Sequence, residues 1–238
     1  MTNLLEFDFE PDLPDWAKTL AVFDLETTGL DVTTSRIVTA TVATLNQAGE
    51  VTSLREWLVN PGVEIPEVAA NVHGVTTEMA VANGQDPEVA VKEIVDLLSE
   101  LSGQMPLVAF NAPYDFSILK HEADRYGIAA LDPKPVIDPL VLDWQFDRYR
   151  KGKKNLGLMS EHYGVKLIDA HNSTADAVAA GLIAQAIARK FAEAKVSAEQ
   201  LHDSQVIWSD QRSESFAEFF RKQTRPDYRA ELGWPIKN

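Results

Sequence analysis

Asp24 and Glu26 stand two residues apart at the end of the apolar run Leu20-Ala21-Val22-Phe23, directly before Thr27-Thr28-Gly29. Residues two apart on an extended strand point to the same face, so both carboxylates project together from a segment whose neighbours are buried. Carboxylates side by side and out of water repel. One must take up a proton unless a hard cation such as Mg²⁺ or Mn²⁺ neutralises the pair. The threonines and Gly29 then supply a turn at which a ligand can approach the backbone closely.

Two further clusters carry acids where the chain turns into helices. Asp115 follows Asn111-Ala112-Pro113-Tyr114 after the apolar run 107–110, near the carboxyl end of a strand, where α/β sheets place their sites. His171-Asn172-Ser173-Thr174-Ala175-Asp176 puts a histidine in the loop before a helix and an aspartate in its first turns. With Asp176 facing the sheet, Asp24, Glu26, Asp115 and Asp176 converge and His171 stands at the rim as a base. Each piece also has an ordinary reading: a loop with a helix cap for Asp24 and Glu26, a first-turn aspartate favoured by the macrodipole for Asp115, an exposed helix position for Asp176, a loop histidine for His171. Order and spacing together favour the composite.

The elements that must position these residues follow an α/β order. Residues 20–25 read as a buried strand, and 37–45 and 51–59 alternate around the turn Gln47-Ala48-Gly49-Glu50, giving three antiparallel strands. A loop-rich stretch then carries His73-Gly74-Val75-Thr76. Asp86-Pro87 caps a helix in which Val91, Ile94, Val95, Leu98 and Leu101 keep helical spacing, and the helix stops near Gly103. A strand at 107–110, a helix at 115–125, a short strand at Val136-Ile137 and a helix opened by Asp138-Pro139 come next. A basic loop over 148–154 precedes a short helix at 156–163. The Ala-rich segment 175–194 is strongly helical, capped by Asn172, Ser173 or Thr174. The expected layout is an acidic N-terminal extension over 1–19, a main domain over 20–194 and a helical C-terminal extension over 195–238.

Composition sets outer bounds. The chain has 238 residues, 45% of them hydrophobic, enough for a sizeable core. It has no apolar stretch long enough to span a bilayer and no signal-peptide pattern at its start, so no membrane and a cytoplasmic location are expected. The absence of cysteine leaves Asp, Glu and His as possible metal ligands. A formal charge of −14 argues against gripping nucleic acid over a broad surface, but not against contacting a few phosphates through metal.

Taken together, Asp24-x-Glu26-Thr-Thr-Gly, Asn111-x-x-x-Asp115 and His171-x-x-x-x-Asp176 resemble the DEDDh family of 3′→5′ exonucleases, over about residues 20–191. His73-Gly74-Val75-Thr76 and Asp138 resemble its epsilon-type proofreading branch. The resemblance implies a ribonuclease H-like fold with a five-stranded mixed sheet flanked by helices. It implies that Asp24, Glu26, Asp115 and Asp176 hold two Mg²⁺ or Mn²⁺ ions, with Asp24 bridging them and His171 as general base. Such pairs of ions serve in-line attack on a phosphodiester. The implied substrate is the 3′ end of single-stranded nucleic acid, DNA in preference to RNA, and the product a 5′-mononucleotide. Thr27, Thr28 and Leu30 would enclose the terminal nucleotide by backbone contacts and an apolar wedge. His73 would buttress that loop, Asn111 would line the substrate site, and Phe116 or Tyr114 would stack on the last bases or pack in the core. Arg148, Arg150, Lys151, Lys153 and Lys154 form a basic cluster that either meets the incoming strand or is a solvated loop. A DNA polymerase subunit or a second copy of the chain is the implied partner for residues 4–15 and the C-terminal tail.

Three other readings compete. An RNA-trimming enzyme of the same family is the nearest. A phosphatase of the haloacid dehalogenase type would use Asp24 as a nucleophile, but it expects Asp at position 26 and a later Gly-Asp pair. A non-catalytic docking module would be signalled by loss of an acidic ligand, and all four are present along with the histidine.

Overall fold

One helical turn, α1 (Asp15–Lys18), leads into strand β1 (Leu20–Thr27), which continues through β2 (Ile37–Leu45) and β3 (Val51–Leu58). Helices α2 (Glu67–His73), α3 (Thr77–Asn83) and α4 (Pro87–Ser102) follow, then β4 (Leu107–Val108), α5 (Pro113–Arg125), β5 (Val136–Ile137), α6 (Pro139–Phe146), α7 (Leu156–His162), α8 (Ser173–Lys190) and α9 (Ala198–Gln223). These elements belong to a computed structural model that describes residues 13–167 and 171–237. Most of the expected acidic N-terminal extension therefore lies outside the described residues. The sheet has the order β3-β2-β1-β4-β5, antiparallel among the first three and parallel from β1 to β5, which is the five-stranded mixed sheet expected. No helix among the described residues is long and apolar enough to cross a membrane.

β1 is the central strand, and its alternation builds two layers. Ala21, Phe23 and Leu25 join Ile94 and Leu98 of α4 and Phe116 and Leu119 of α5 in one core. Leu20 and Val22 join Leu45 and the Ala177, Ala180, Ile183, Ala184 and Ile187 face of α8 in the other. Each fully buried Leu, Val or Phe contributes roughly 1.5–3 kcal/mol. The small residues of α8 let it lie close on the sheet: a Cβ at Gly181 would fall 2.5 Å from both Leu45 Cδ1 and Val22 Cγ1. On this α8 face the even-numbered residues of β1 change from Leu20 and Val22 to Asp24 and Glu26, so the apolar layer ends and the acidic site begins on one strand.

The outer edge of β5 is covered by side chains of α9. His202 Nδ1 accepts from Val136 N at 3.0 Å, Gln205 Oε1 accepts from Asp138 N at 2.8 Å, and Gln205 Nε2 donates to Val136 O at 3.0 Å. These bonds stand where a neighbouring strand would and cover the β5 edge against pairing with another chain. This is where the long C-terminal helix earns its place, a role that polar composition alone did not reveal.

Three local expectations change. The stretch before α4, read as loop, contains α2 and α3. α2 buries no residue and so shows no apolar period, and α3 is announced only by Thr76, whose hydroxyl accepts from Met79 N. The strand expected at 107–110 is regular only at Leu107–Val108, because the chain turns away at Asn111, which has φ 60°. The helix expected to reach 194 ends at Lys190, where extended Phe191 packs on Phe146 at 5.7 Å and a 3₁₀ turn, Ala192–Ala194, takes over.

Candidate active site

Asp24 and Glu26 leave β1 toward α8, opposite Thr41 and Thr39 of β2. Those threonines fix the head of α8. Thr41 Oγ1 lies 2.9 Å from both Ser173 Oγ and Thr174 Oγ1, and Thr174 Oγ1 donates to Glu56 at 2.5 Å. Asn172 caps the helix, its Oδ1 accepting from Thr174 N at 3.0 Å and Ala175 N at 3.2 Å. Asp176 is thereby held in the first turn over β1. Carboxylate oxygens of Asp24, Glu26 and Asp176 all lie within 4.8 Å of one another. Asp176 Oδ2 accepts from His171 N at 3.2 Å, and its Oδ1 is buried without a partner.

Asp115 comes from the opposite layer. β4 pairs with β1 only at Ala21 and Val22, so the β4-facing edge of β1 is open beyond that point. Leu25 N uses the opening to donate to Asp115 Oδ1 at 3.0 Å. Asp115 is 2% exposed and stands close enough to act on Asp24 as its strongest charged neighbour. It is not one of the three whose oxygens share a single 4.8 Å cluster.

The electrostatics of the site are unbalanced. Burial, then repulsion from Asp115, Glu26 and Asp176, pushes the Asp24 carboxyl well above the usual carboxylate range. Burial and Asp176 push Glu26 up to about 7. Asp115 is raised by burial against the opposing Leu25 N–H, and Asp176 by burial against His171. Hard oxygen donors, partly desolvated, mutually repelling and with one orphaned oxygen, fit divalent cations.

The turn after Glu26 is rigidly built. Thr27 Oγ1, Tyr114 Oη and Gly29 O form a triangle, with Thr27 Oγ1 2.8 Å and Tyr114 Oη 2.7 Å from the carbonyl and 2.5 Å from each other, in which one hydroxyl donates to Gly29 O and the other to its fellow hydroxyl. Thr28 N donates to Arg36 O and Thr28 Oγ1 accepts from Arg36 N, which commits that amide to the hairpin. Leu30 projects beyond them, 88% exposed. His73 sits at the end of α2, its Nδ1 accepting from Val75 N at 3.2 Å, and burial holds its imidazole below the ordinary histidine range against the opposing pull of the Thr27 backbone.

Phe116 is corrected as a substrate contact. It is 1% exposed and packs against Phe23 at 5.5 Å between ring centres, because its position on α5 faces the sheet. Its neighbour Tyr114 serves the site as a clamp on the loop. The basic cluster also divides. Arg150 and Lys154 bond the fully buried Asp143, so they are structural, whereas Lys151 and Lys153 remain exposed.

Asp138 does more than its position as a helix cap announced. Its carboxylate accepts from Asn111 N at 3.1 Å, Ala112 N at 3.0 Å and Leu140 N at 2.9 Å, and burial raises it to about 6. Asn111, with φ 60°, and His171, with φ 69°, are the two non-glycine residues in the left-handed region among those described, and both flank the acidic cluster. Such strain gathers at functional sites when surrounding bonds impose it.

Comparison with known proteins agrees with this geometry. The Exonuclease (RNase T) family profile matches residues 21–183, well over half of the chain. The chain is 29% identical over 172 residues to the PolC-type DNA polymerase III of Lacticaseibacillus paracasei, a match covering 72% of this chain and 11% of that protein. In structure it is similar to E. coli exonuclease I in complex with a dA16 oligonucleotide, with a TM-score of 0.62, 16% identity, and coverage of 84% of this chain and 45% of that one. The zinc-ion-bound form of the E. coli exonuclease I complex with single-stranded DNA gives the same TM-score and identity at the same coverage. The chain thus spans about a tenth of the length of the polymerase relative and under half of exonuclease I. Its five-stranded mixed sheet is the fold of those structures, and the chain belongs to the exonuclease family.

Proposed function

We propose that the chain removes nucleotides one at a time from the 3′ end of single-stranded DNA, hydrolysing the last phosphodiester to release a 5′-mononucleotide. The observation that carries this is the set of three carboxylates with oxygens within 4.8 Å of one another on the α8 side of β1, with Asp115 bonded behind them. Mg²⁺ or Mn²⁺ held by Asp24, Glu26, Asp176 and Asp115 would activate the attacking water and stabilise the departing 3′ oxygen. His171 takes the proton from that water, and its backbone bond to Asp176 ties the base to the carboxylate cluster. Leu30 separates the terminal base from its neighbour, on a loop that Tyr114 and Arg36 keep in shape. His73 supports that loop, and Asn111 lines the approach. Residues 20–194 make up the catalytic domain in this reading, and 195–238 complete its β5 edge.

DNA as substrate is supported by the named relatives, a DNA polymerase III and an exonuclease I bound to single-stranded DNA. Association with a DNA polymerase is part of the same proposal and rests on the PolC relative alone. The test is digestion of 5′-labelled single-stranded DNA, matched RNA and mismatched duplex with Mg²⁺ or Mn²⁺. A ladder of single-nucleotide steps from the 3′ end, fastest on single-stranded DNA and abolished by a chelator, is expected. Internal fragments, or cleavage indifferent to the chelator, would overturn it.

A further inference from the structure

Beside Leu30 lies a cavity of about 570 Å³, between the loop after β1, the head of α5 and the end of the chain. The third wall, residues 230–237, is outside the segment 21–183 that matches the family. We propose that this C-terminal segment is part of the substrate groove and that Leu232 contacts the base next to the 3′-terminal one. The inference rests on the exonuclease reading above.

The segment is anchored to the framework of the site itself. Trp234 is buried against His202, with ring centres 5.1 Å apart, and its Nε1 donates to Asp138 Oδ2 at 3.4 Å, the carboxylate that also holds Asn111 and Ala112. Lys237 N donates to Ser117 Oγ of α5 at 2.8 Å, and Gly233 N to Asp210 Oδ1 at 3.4 Å. Directly before these anchors Leu232 is 48% exposed. An apolar side chain held beside an anchored segment, on the same cavity as the exposed Leu30, gives that cavity apolar surface on two of its walls.

The chemistry of the lining selects a nucleobase. Leu30, Val32, Tyr114 and Leu232 offer apolar and aromatic surface, on which any base can pack regardless of sequence. Glu231 and the Lys237 ammonium pair with each other at 2.6 Å, which leaves Asp31 as unbalanced negative charge that disfavours a phosphate. None of Asp24, Glu26 or Asp176 lines the cavity, so its occupant is an upstream base rather than the nucleotide being released.

The experiment compares two substrates on the full chain with Mg²⁺ or Mn²⁺: the p-nitrophenyl ester of thymidine 5′-monophosphate, which has no upstream base, and a single-stranded oligothymidylate. The unaltered protein should prefer the oligonucleotide in kcat/KM. That preference should shrink roughly tenfold in Leu232→Asp and roughly threefold in Leu232→Ala, carried by KM rather than kcat, with the melting temperature of both variants preserved. Folded variants that keep the full preference overturn the role of the tail while leaving the exonuclease reading intact. An unaltered protein that cleaves neither substrate overturns both.

Discussion

Asp143, fully buried, and Asp24, half-buried, are both aspartates that the fold draws away from water, and the chain treats them in opposite ways. Asp143, fully buried on α6, accepts from Arg150 Nε at 3.1 Å, Arg150 Nη2 at 2.9 Å and Tyr163 Oη at 2.7 Å, and Lys154 bonds it as well. Those donors outweigh burial and hold its carboxyl below the usual range. Asp24 meets carboxylates instead, and it is raised. A buried acid supplied with its own cations is a structural bolt joining α6 to the loop before α7. A group of acids left without them is stable in ionised form only with cations from solution. The difference separates framework from chemistry without reference to any relative.

The sharpest break of this comparison is Asp24→Asn. Removing the acid at the centre of the repelling group should reduce turnover by on the order of 10³-fold or more, cancel the rise in melting temperature that Mg²⁺ or Mn²⁺ gives the unaltered protein, and raise the stability of the metal-free protein. Calorimetry with and without metal, beside a nuclease assay, checks all three. Undiminished turnover in the variant would contradict the assignment.

His171→Ala comes next. Loss of a general base costs ~10²–10⁴-fold in rate, while the carboxylates are untouched, so the metal-induced rise in melting temperature should persist. Near-normal turnover would remove the histidine from the mechanism and leave the metal site standing.

On the structural side, Arg150→Ala should destabilise the fold by up to about 3 kcal/mol, since it strips two bonds from a buried charge that Lys154 and Tyr163 still partly serve. Denaturant unfolding measures it. A loss near zero would mean that Asp143 is no better satisfied than Asp24.

The smallest effect is one of pH. Glu26 is raised to about 7 and Asp138 to about 6, so the folded, metal-free protein holds these protons more tightly than the unfolded chain. Their ionisation therefore subtracts stability as pH rises from about 4.5 through about 7. Asp143, being lowered, loses its contribution only under more acidic conditions, below the usual aspartate range. The melting temperature of chelated protein should fall by a few degrees between about pH 5 and 7.5, and divalent metal should flatten that fall. A melting temperature that climbs across this window would show that repulsion in the site does not govern stability there.

Much of the fold was legible because its signals are local. The apolar run of β1, the alternation in β2, the Asp86-Pro87 cap of α4 and the Ala-rich run of α8 each act within a few residues, and each element appears where expected, save that α8 stops at Lys190. α2 and α3 were not legible, because short helices lying on the surface carry no apolar period. Phe116 and Tyr114 show the same limit at the site. Two aromatics two apart on α5 differ in which way they point, and only packing against Phe23 and Thr27 distinguishes core from clamp.

The sequence by itself determined which residues are acids and histidine, and that Asp24 and Glu26 share a face, since strand geometry fixes neighbours two apart. That Asp176 meets them on that face, and that Asp115 reaches the same strand from the opposite layer, was decided by tertiary structure: the close approach of α8 at Gly181, and the short β4 that frees Leu25 N for Asp115. The same holds for the fate of the basic cluster and of the C-terminal segment. Arg150 and Lys154 find Asp143, and Trp234 finds Asp138 from 96 residues away, through contacts that no local pattern encodes. Local backbone geometry acts over a few residues, whereas which charge meets which is set by how the layers close.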